Sequence, residues 1–362
     1  MRTTILFSIK LALLAFVLPV KAQKPTRIAP DNPHVIYEGR IAPTPEEAVL
    51  YWPGSSIALN FTGTSIDVDL KDQKADNFYY VFIDGKNTGK LKPDTVRRTY
   101  RLADNLDTGK HRVELYKLTE SDRGSTAFFG FTLAPGGTTL TEPAPKTRKI
   151  EFYGNSITCG LAVEDASGKD NGGSIFENNY LSYAAITARN FNAQASYIAI
   201  SGIGIQISWS PRKMPDLYDR LNPDDPNSKW DFHRYTPDIV VVNLLQNDSW
   251  LVKRPDHAEF KRVFGTKKPD EAQIISTYAD FIRAIRNRYP NAEIICALGN
   301  MDATRQGSPW PGYIQKAVES LKDQKMHTVF FPYKKTSAHP LVAEQQAMAD
   351  QLTAFIRDKI KW

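Results

Sequence analysis

The hydrophobic spacing of this 362-residue chain changes period once, and that change limits the folds open to it. From about residue 34 to 134, apolar residues recur at every second position. Ile57, Leu59 and Phe61 alternate with polar neighbours. So do Ile66, Val68 and Leu70, then Tyr79, Val81 and Ile83, then Val113 and Leu115, then Phe129, Phe131 and Leu133. Successive side chains of a strand point to opposite faces, so period two marks strands buried on one side. Turn pairs punctuate the runs at Thr62-Gly63, Asp84-Gly85, Pro93-Asp94 and Thr108-Gly109. Many short strands without a long helical stripe predict an antiparallel β-sandwich. The Pro-, Gly- and Thr-rich stretch from Ala134 to Pro145 predicts a linker, so the first domain is drawn at 23–145 and the second at 146–362.

In the second region strands alternate with helices. Candidate strands are Ile150–Tyr153, Tyr197–Ile200, Ile239–Leu244, Ile294–Leu298 and Thr328–Phe331. The middle one is almost continuously apolar, as suits a strand covered on both faces. The clearest helical stripe is Ile274, Ile275, Tyr278, Phe281, Ile282, Ile285 and Tyr289, and the last buries Met348, Leu352, Phe355 and Ile356. This alternation predicts a five-stranded, parallel, doubly wound α/β sheet. Ligands on such sheets sit beyond the carboxyl ends of the strands.

Residues 1–22 read as a cleavable signal peptide: Arg2 and Lys10, the apolar run Leu11–Leu18, then Val20-Lys21-Ala22 before Gln23. The apolar run would span only about 12 Å as a helix, short of a bilayer core. Export to the periplasm or the cell exterior is expected, without stable membrane insertion. Losing Arg2, Lys10 and Lys21 lowers the net charge from +6 to about +3, too little to argue for nucleic acid. Cys159 and Cys296 are the only thiols and read as two buried free cysteines.

Four strand tips carry groups with chemistry. The first strand runs into Gly154-Asn155-Ser156-Ile157, placing Ser156 as a nucleophile or a helix cap. The second ends Ser201-Gly202-Ile203-Gly204, where glycine lets a backbone N–H approach a ligand. The third ends Gln246-Asn247-Asp248, where Asn247 offers a neutral donor and Asp248 shapes the loop or touches a hydroxyl. After the fifth lies His339-Pro340, with Pro340 suited to the first turn of the last helix. The other five histidines show no metal-ligand spacing. A nucleophile, two oxyanion donors and a base at neighbouring tips describe acyl transfer without a cofactor or metal.

These blocks resemble the SGNH, or GDSL-like, hydrolases. Gly154-Asn155-Ser156-Ile157 stands for Gly-Asp-Ser-Leu/Ile, and Gly202, Asn247 and His339 stand at the later block positions. The two-domain layout with the string YGNSITCG (153–160) resembles carbohydrate esterase family 2 more narrowly. That resemblance implies an N-terminal jelly-roll sandwich, a C-terminal three-layer SGNH domain, and removal of acetyl groups from plant polysaccharides such as xylan and glucomannan. It implies Ser156 and His339 as catalytic residues, with oxyanion donors at Ser156, Gly202 and Asn247. Two positions depart from the pattern. Leu245 replaces a usual glycine, a change that would narrow or reshape the oxyanion loop. Thr336 stands where the family acid precedes the histidine. Family 2 members work with a Ser–His dyad whose imidazole is oriented by a backbone carbonyl, and the resemblance implies that arrangement here.

An acetylated polysaccharide or oligosaccharide partner would favour aromatic faces near the cleft. Trp250 and Trp310 are the first candidates and Trp209 the next, with packing as the alternative for each. Thr336 and the altered third block also motivate a different reading, a catalytically impaired glycan-binding protein. A third is an SGNH esterase or lipase acting on non-carbohydrate esters. The sequence leaves the oligomeric state open.

Overall fold

The computed structural model describes residues 24–141 and 144–362. The expected signal peptide, residues 1–22, lies outside them. The N-terminal region forms two facing antiparallel sheets. One has five strands, with Thr126–Leu133 pairing Thr26–Ile28, Ala48–Leu50 and Ile66–Asp72, and Arg98–Ala103 on the far side of Ile66–Asp72. The other has six, centred on Ser56–Thr62 and Lys110–Lys117. Ile57, Leu59, Phe61, Ile66, Val68, Leu70, Val113 and Leu115 fill the space between them, as alternation requires.

Two details differ from the sequence reading. The register slips between Phe128 and Gly130. That bulge changes the phase of the strand, so Phe128, Phe131 and Leu133 face the core. Phe129 turns outward, with the Arg97 guanidinium 4.1 Å from its ring centre. The expected linker also contains a strand, Thr138–Leu140, paired with Ser56–Thr62.

The C-terminal region carries five parallel strands: β1 (Lys149–Gly154), β2 (Gln194–Ala199), β3 (Ile239–Asn243), β4 (Glu293–Leu298) and β5 (Met326–Phe330), in the order β2-β1-β3-β4-β5. The helices used below are α1 (Ser156–Cys159), α2 (Tyr183–Asn190), α3 (Gln246–Leu251), α4 (Glu271–Arg288), α5 (Trp310–Leu321) and α6 (Val342–Lys359). α4 and α5 bury their apolar stripes on one face of the sheet, α2 and α6 on the other. The central strand β3 is buried on both sides, hence its nearly unbroken hydrophobicity. α6 begins at Val342, so Pro340 precedes the helix instead of opening it.

The two regions are joined by buried contacts. Trp52 of the sandwich packs into the C-terminal core, and its indole N–H donates to the Leu221 carbonyl at 2.9 Å. The fully buried Arg40 donates to the Tyr218 and Arg220 carbonyls, the Tyr153 hydroxyl and the Glu151 carboxylate. A charge so placed is tolerable because both terminal guanidinium nitrogens are matched, although Nε has no partner among the described residues. Truncating Trp52 would cost about 3–5 kcal/mol.

Candidate active site

β1 ends at Gly154, and Asn155 then leaves the strand to cap α1, its side chain accepting from the Ile157 N–H at 3.0 Å. Ser156 is therefore the first residue of the helix, not its cap. A Cβ on Gly154 would lie 2.0 Å from the Thr158 hydroxyl, so glycine is required for this tight turn. The Ser156 N–H belongs to the first turn of α1, whose amides find no partner within a helix.

The Ser156 hydroxyl lies 2.8 Å from His339 Nε2. These groups are 183 residues apart in sequence, and the fold brings them into proton-transfer range. The other imidazole nitrogen, Nδ1, lies 2.7 Å from Asp170 Oδ1, which also accepts the His339 backbone N–H at 2.9 Å. The partner of Nδ1 is thus a carboxylate, not the backbone carbonyl implied by the family resemblance. Thr336 instead accepts from the Lys334 ammonium. Asp170 sits in the loop between α1 and α2 with φ of +64°, a conformation aspartate tolerates better than most residues. The His339 hydrogen bonds hold its carboxyl below the ordinary aspartate range despite partial burial, with Lys334 adding to the effect.

β2 and β3 flank β1, with Ala199 and Asn243 level with Gly154, so the loops after both arrive beside Ser156. Gly202 has φ of +75°. Asn247 follows at the start of α3. Its side-chain N–H donates to the Ile203 carbonyl at 2.8 Å, and its oxygen accepts the Trp209 indole N–H at 3.0 Å. An amide nitrogen carries two hydrogens, so fixing one leaves the other for a ligand. Leu245 occupies the usual glycine position with φ of +78°, keeping the left-handed backbone a glycine would adopt. Its side chain enters the hydrophobic core, not the cleft.

Asp248 is fully buried, so it is not a sugar contact. Its carboxylate accepts the backbone N–H groups of Ile205, Gln206 and Ile207 and draws the loop after β2 onto α3. Burial pushes its pKa up, and the amide donors pull against that rise. Trp310 is likewise misplaced as a sugar contact. It is 3% exposed at the start of α5 and packs edge-on against Tyr313. Trp250 is half-buried, its indole N–H donating to Asp302 at 2.6 Å. Trp209, ranked below both from sequence, has the exposed ring, at 37%. Arg254 lies 5.0 Å from its ring centre. Both cysteines are buried and free; burial pushes the Cys159 thiol well up, which argues against a nucleophilic thiolate.

Residues 37–143 match the family described as carbohydrate esterase 2 N-terminal, and residues 152–355 the GDSL-like lipase/acylhydrolase family. The chain is 35% identical over 344 residues to the cellulase/esterase CelE of Acetivibrio thermocellus, covering 92% of this chain but 40% of that protein. It is 27% identical to an acetylxylan esterase / glucomannan deacetylase of Cellvibrio japonicus, covering 92% and 91%. Among solved structures, a family two carbohydrate esterase from Clostridium thermocellum in complex with cellohexaose superposes with a TM-score of 0.80 at 34% identity, covering 90% of this chain and 99% of that one. The chain therefore belongs to carbohydrate esterase family 2, within the GDSL-like hydrolases, and is a carboxylic ester hydrolase.

Proposed function

We propose that this protein is a secreted or periplasmic O-acetyl esterase that removes acetyl groups from plant polysaccharides, or oligosaccharides derived from them, through an acetyl-enzyme on Ser156. The observation that carries the reading is the line Ser156–His339–Asp170, with both hydrogen bonds under 3 Å. The substrate class is supported by relatives named for acetylxylan and glucomannan and by one solved with cellohexaose. Residues 1–22 support export, and no helix among the described residues is long and apolar enough to cross a membrane.

The Ser156 O–H donates to His339 Nε2, the proton passes to the imidazole, and the oxygen attacks the acetyl carbonyl. The imidazolium is held by Asp170 through Nδ1–H. The oxyanion is met by the Ser156 and Gly202 backbone N–H groups and the free hydrogen of the Asn247 amide. Each such donor contributes about 3 kcal/mol to lowering the barrier. His339 returns the proton to the departing sugar hydroxyl. It then takes a proton from a water whose oxygen attacks the acetyl-enzyme carbonyl, and passes that proton to the Ser156 oxygen as the ester bond breaks and acetate leaves. No cofactor enters these steps. Trp209, with Trp250 on α3, is assigned the sugar faces.

The glycan-binding alternative drew on the absent acid at position 336 and on the altered third block; against it stand Asp170, which offers a carboxylate to His339, and Leu245, which keeps the left-handed backbone of a glycine. Acetate release from acetylated xylan, acetylated glucomannan and a chromogenic acetate tests the proposal, with chromogenic esters of longer acyl chains alongside. Turnover of the acetates is expected to exceed that of the long-chain esters. A preference for long or aromatic acyl groups would contradict it, and binding to the polysaccharides without acetate release would restore the non-catalytic reading.

A further inference from the structure

The sandwich sends one short segment, residues 120–123, into the C-terminal region directly behind the loop that carries Gly202. Glu120 is 2% exposed, and its carboxyl oxygen Oε2 accepts the backbone N–H of Ser201 at 2.5 Å. Ser201 is the residue before Gly202. The same oxygen lies 3.6 Å from Cys159 Sγ, on the helix that begins with Ser156. One atom of the sandwich thus touches both the segment offering the Gly202 N–H and the helix offering the Ser156 hydroxyl.

The segment itself is held rigidly. The Lys117 ammonium donates to the Thr119 carbonyl at 2.7 Å and the Glu120 carbonyl at 3.2 Å. The Glu120 backbone N–H donates to the Glu177 carboxylate, which also accepts from Arg123 Nε at 2.9 Å. Arg123 reaches the Gly172 carbonyl, two residues past Asp170. A buried acceptor so supported fixes its donor's backbone with little freedom to drift.

We propose that Glu120 is a positioning residue for the oxyanion site, by which the sandwich domain sets the Gly202 N–H against the Ser156 hydroxyl. The inference rests on the reading of Gly202 as an oxyanion donor. It gives the sandwich a role in the chemical step, apart from any contact with glycan. A negative charge behind an oxyanion would oppose catalysis, and the site limits that conflict. Burial, with the nearby Asp122 charge, pushes the Glu120 carboxyl towards its neutral form. What the position requires is a hydrogen-bond acceptor of this length.

Glu120→Gln and Glu120→Met separate that requirement from mere filling of space. Both are neutral and of similar length, but only glutamine keeps an acceptor for the Ser201 N–H. Hydrolysis of a chromogenic acetate is measured per active serine, counted with an organophosphorus titrant, alongside melting temperature. Glu120→Gln is expected to keep kcat within about threefold, whereas Glu120→Met loses about tenfold or more with KM within about twofold. Equal kcat for the two folded variants would overturn the inference. Should Glu120→Met fail to fold, Glu120→Asp, whose acceptor is withdrawn by one methylene, takes its place. The same kcat loss is then required, and an undiminished kcat overturns the proposal. The Ser156→Ala control separates the levels. Retained activity there defeats the underlying mechanism, while an inactive control with indifferent Glu120 variants defeats this inference alone.

Discussion

The two sides of Ser156 are built differently. On the oxyanion side, the segments that carry Gly202 and Asn247 are held by several hydrogen bonds. Asp248 gathers three backbone amides, Trp209 and the Ile203 carbonyl fix the Asn247 amide, and Glu120 holds Ser201. On the base side, Asp170 stands on a solvent-facing loop, and a third of its side chain is exposed. Charge developing on the carbonyl oxygen needs donors already aimed, because dipoles that must turn during reaction stabilise it less. Holding an imidazole in one tautomer needs only one acceptor, and solvent near it weakens the electrostatic part. The oxyanion side should therefore tolerate change poorly, and the carboxylate side better.

The largest effect is expected where the two sides meet. Ser156→Ala and His339→Ala should each lower kcat on acetylated substrate by about 10⁴-fold or more while the melting curve stays close to wild type. Activity surviving in either would remove the junction on which the comparison depends. Next is the oxyanion side. Asn247→Ala should lower kcat by about 10²- to 10³-fold with little change in KM. A loss confined to KM would show that Asn247 binds substrate without serving the transition state.

The carboxylate side comes third. Asp170→Asn should lower kcat by about 10²-fold, less than for a fully buried triad acid. It should also change the pH profile. The hydrogen bonds from His339 hold the wild-type carboxyl below its ordinary range, so its contribution is present at neutral and mildly acidic pH and is lost only as acid protonates it. The wild-type advantage in kcat/KM over Asp170→Asn should therefore shrink towards strongly acidic pH. An advantage that stays constant across the pH range would mean that the ionised Asp170 does not serve the reaction. The smallest effect belongs to Thr336→Ala, expected within about threefold of wild type. Thr336 bonds to Lys334 and has no place in the His339 line.

The parts of this site that could be read from the sequence are those tied to strand ends. Ser156, Gly202 and Asn247 each follow closely on a run of buried residues that marks the end of a strand, His339 lies in the loop between β5 and α6, and the doubly wound fold brings these places together. Asp170 carries no such mark. It lies among Glu164, Asp165 and several glycines in an irregular segment, where only the folded path selects one carboxylate over its neighbours. Looking three residues before the histidine treated a spatial requirement as a sequence offset.

Between the two readings open for Trp310, packing is legible in the spacing: Trp310, Ile314, Ala317 and Val318 form one helical stripe, all buried. The phase change at Gly130 was hidden because period two cannot show an inserted residue within a run rich in phenylalanine. Glu120 was also invisible from sequence. A buried acid that serves another domain looks like any surface acid until the domains are packed together.

The account's central claim is that Ser156 is the activated nucleophile and that His339 activates it. Reacting the folded protein with an organophosphorus ester and mapping the adduct by peptide mass spectrometry tests it most directly. The expected result is one adduct, on Ser156, formed far more slowly in the His339→Ala protein. An adduct on another residue, or one formed at the same rate without His339, would contradict it.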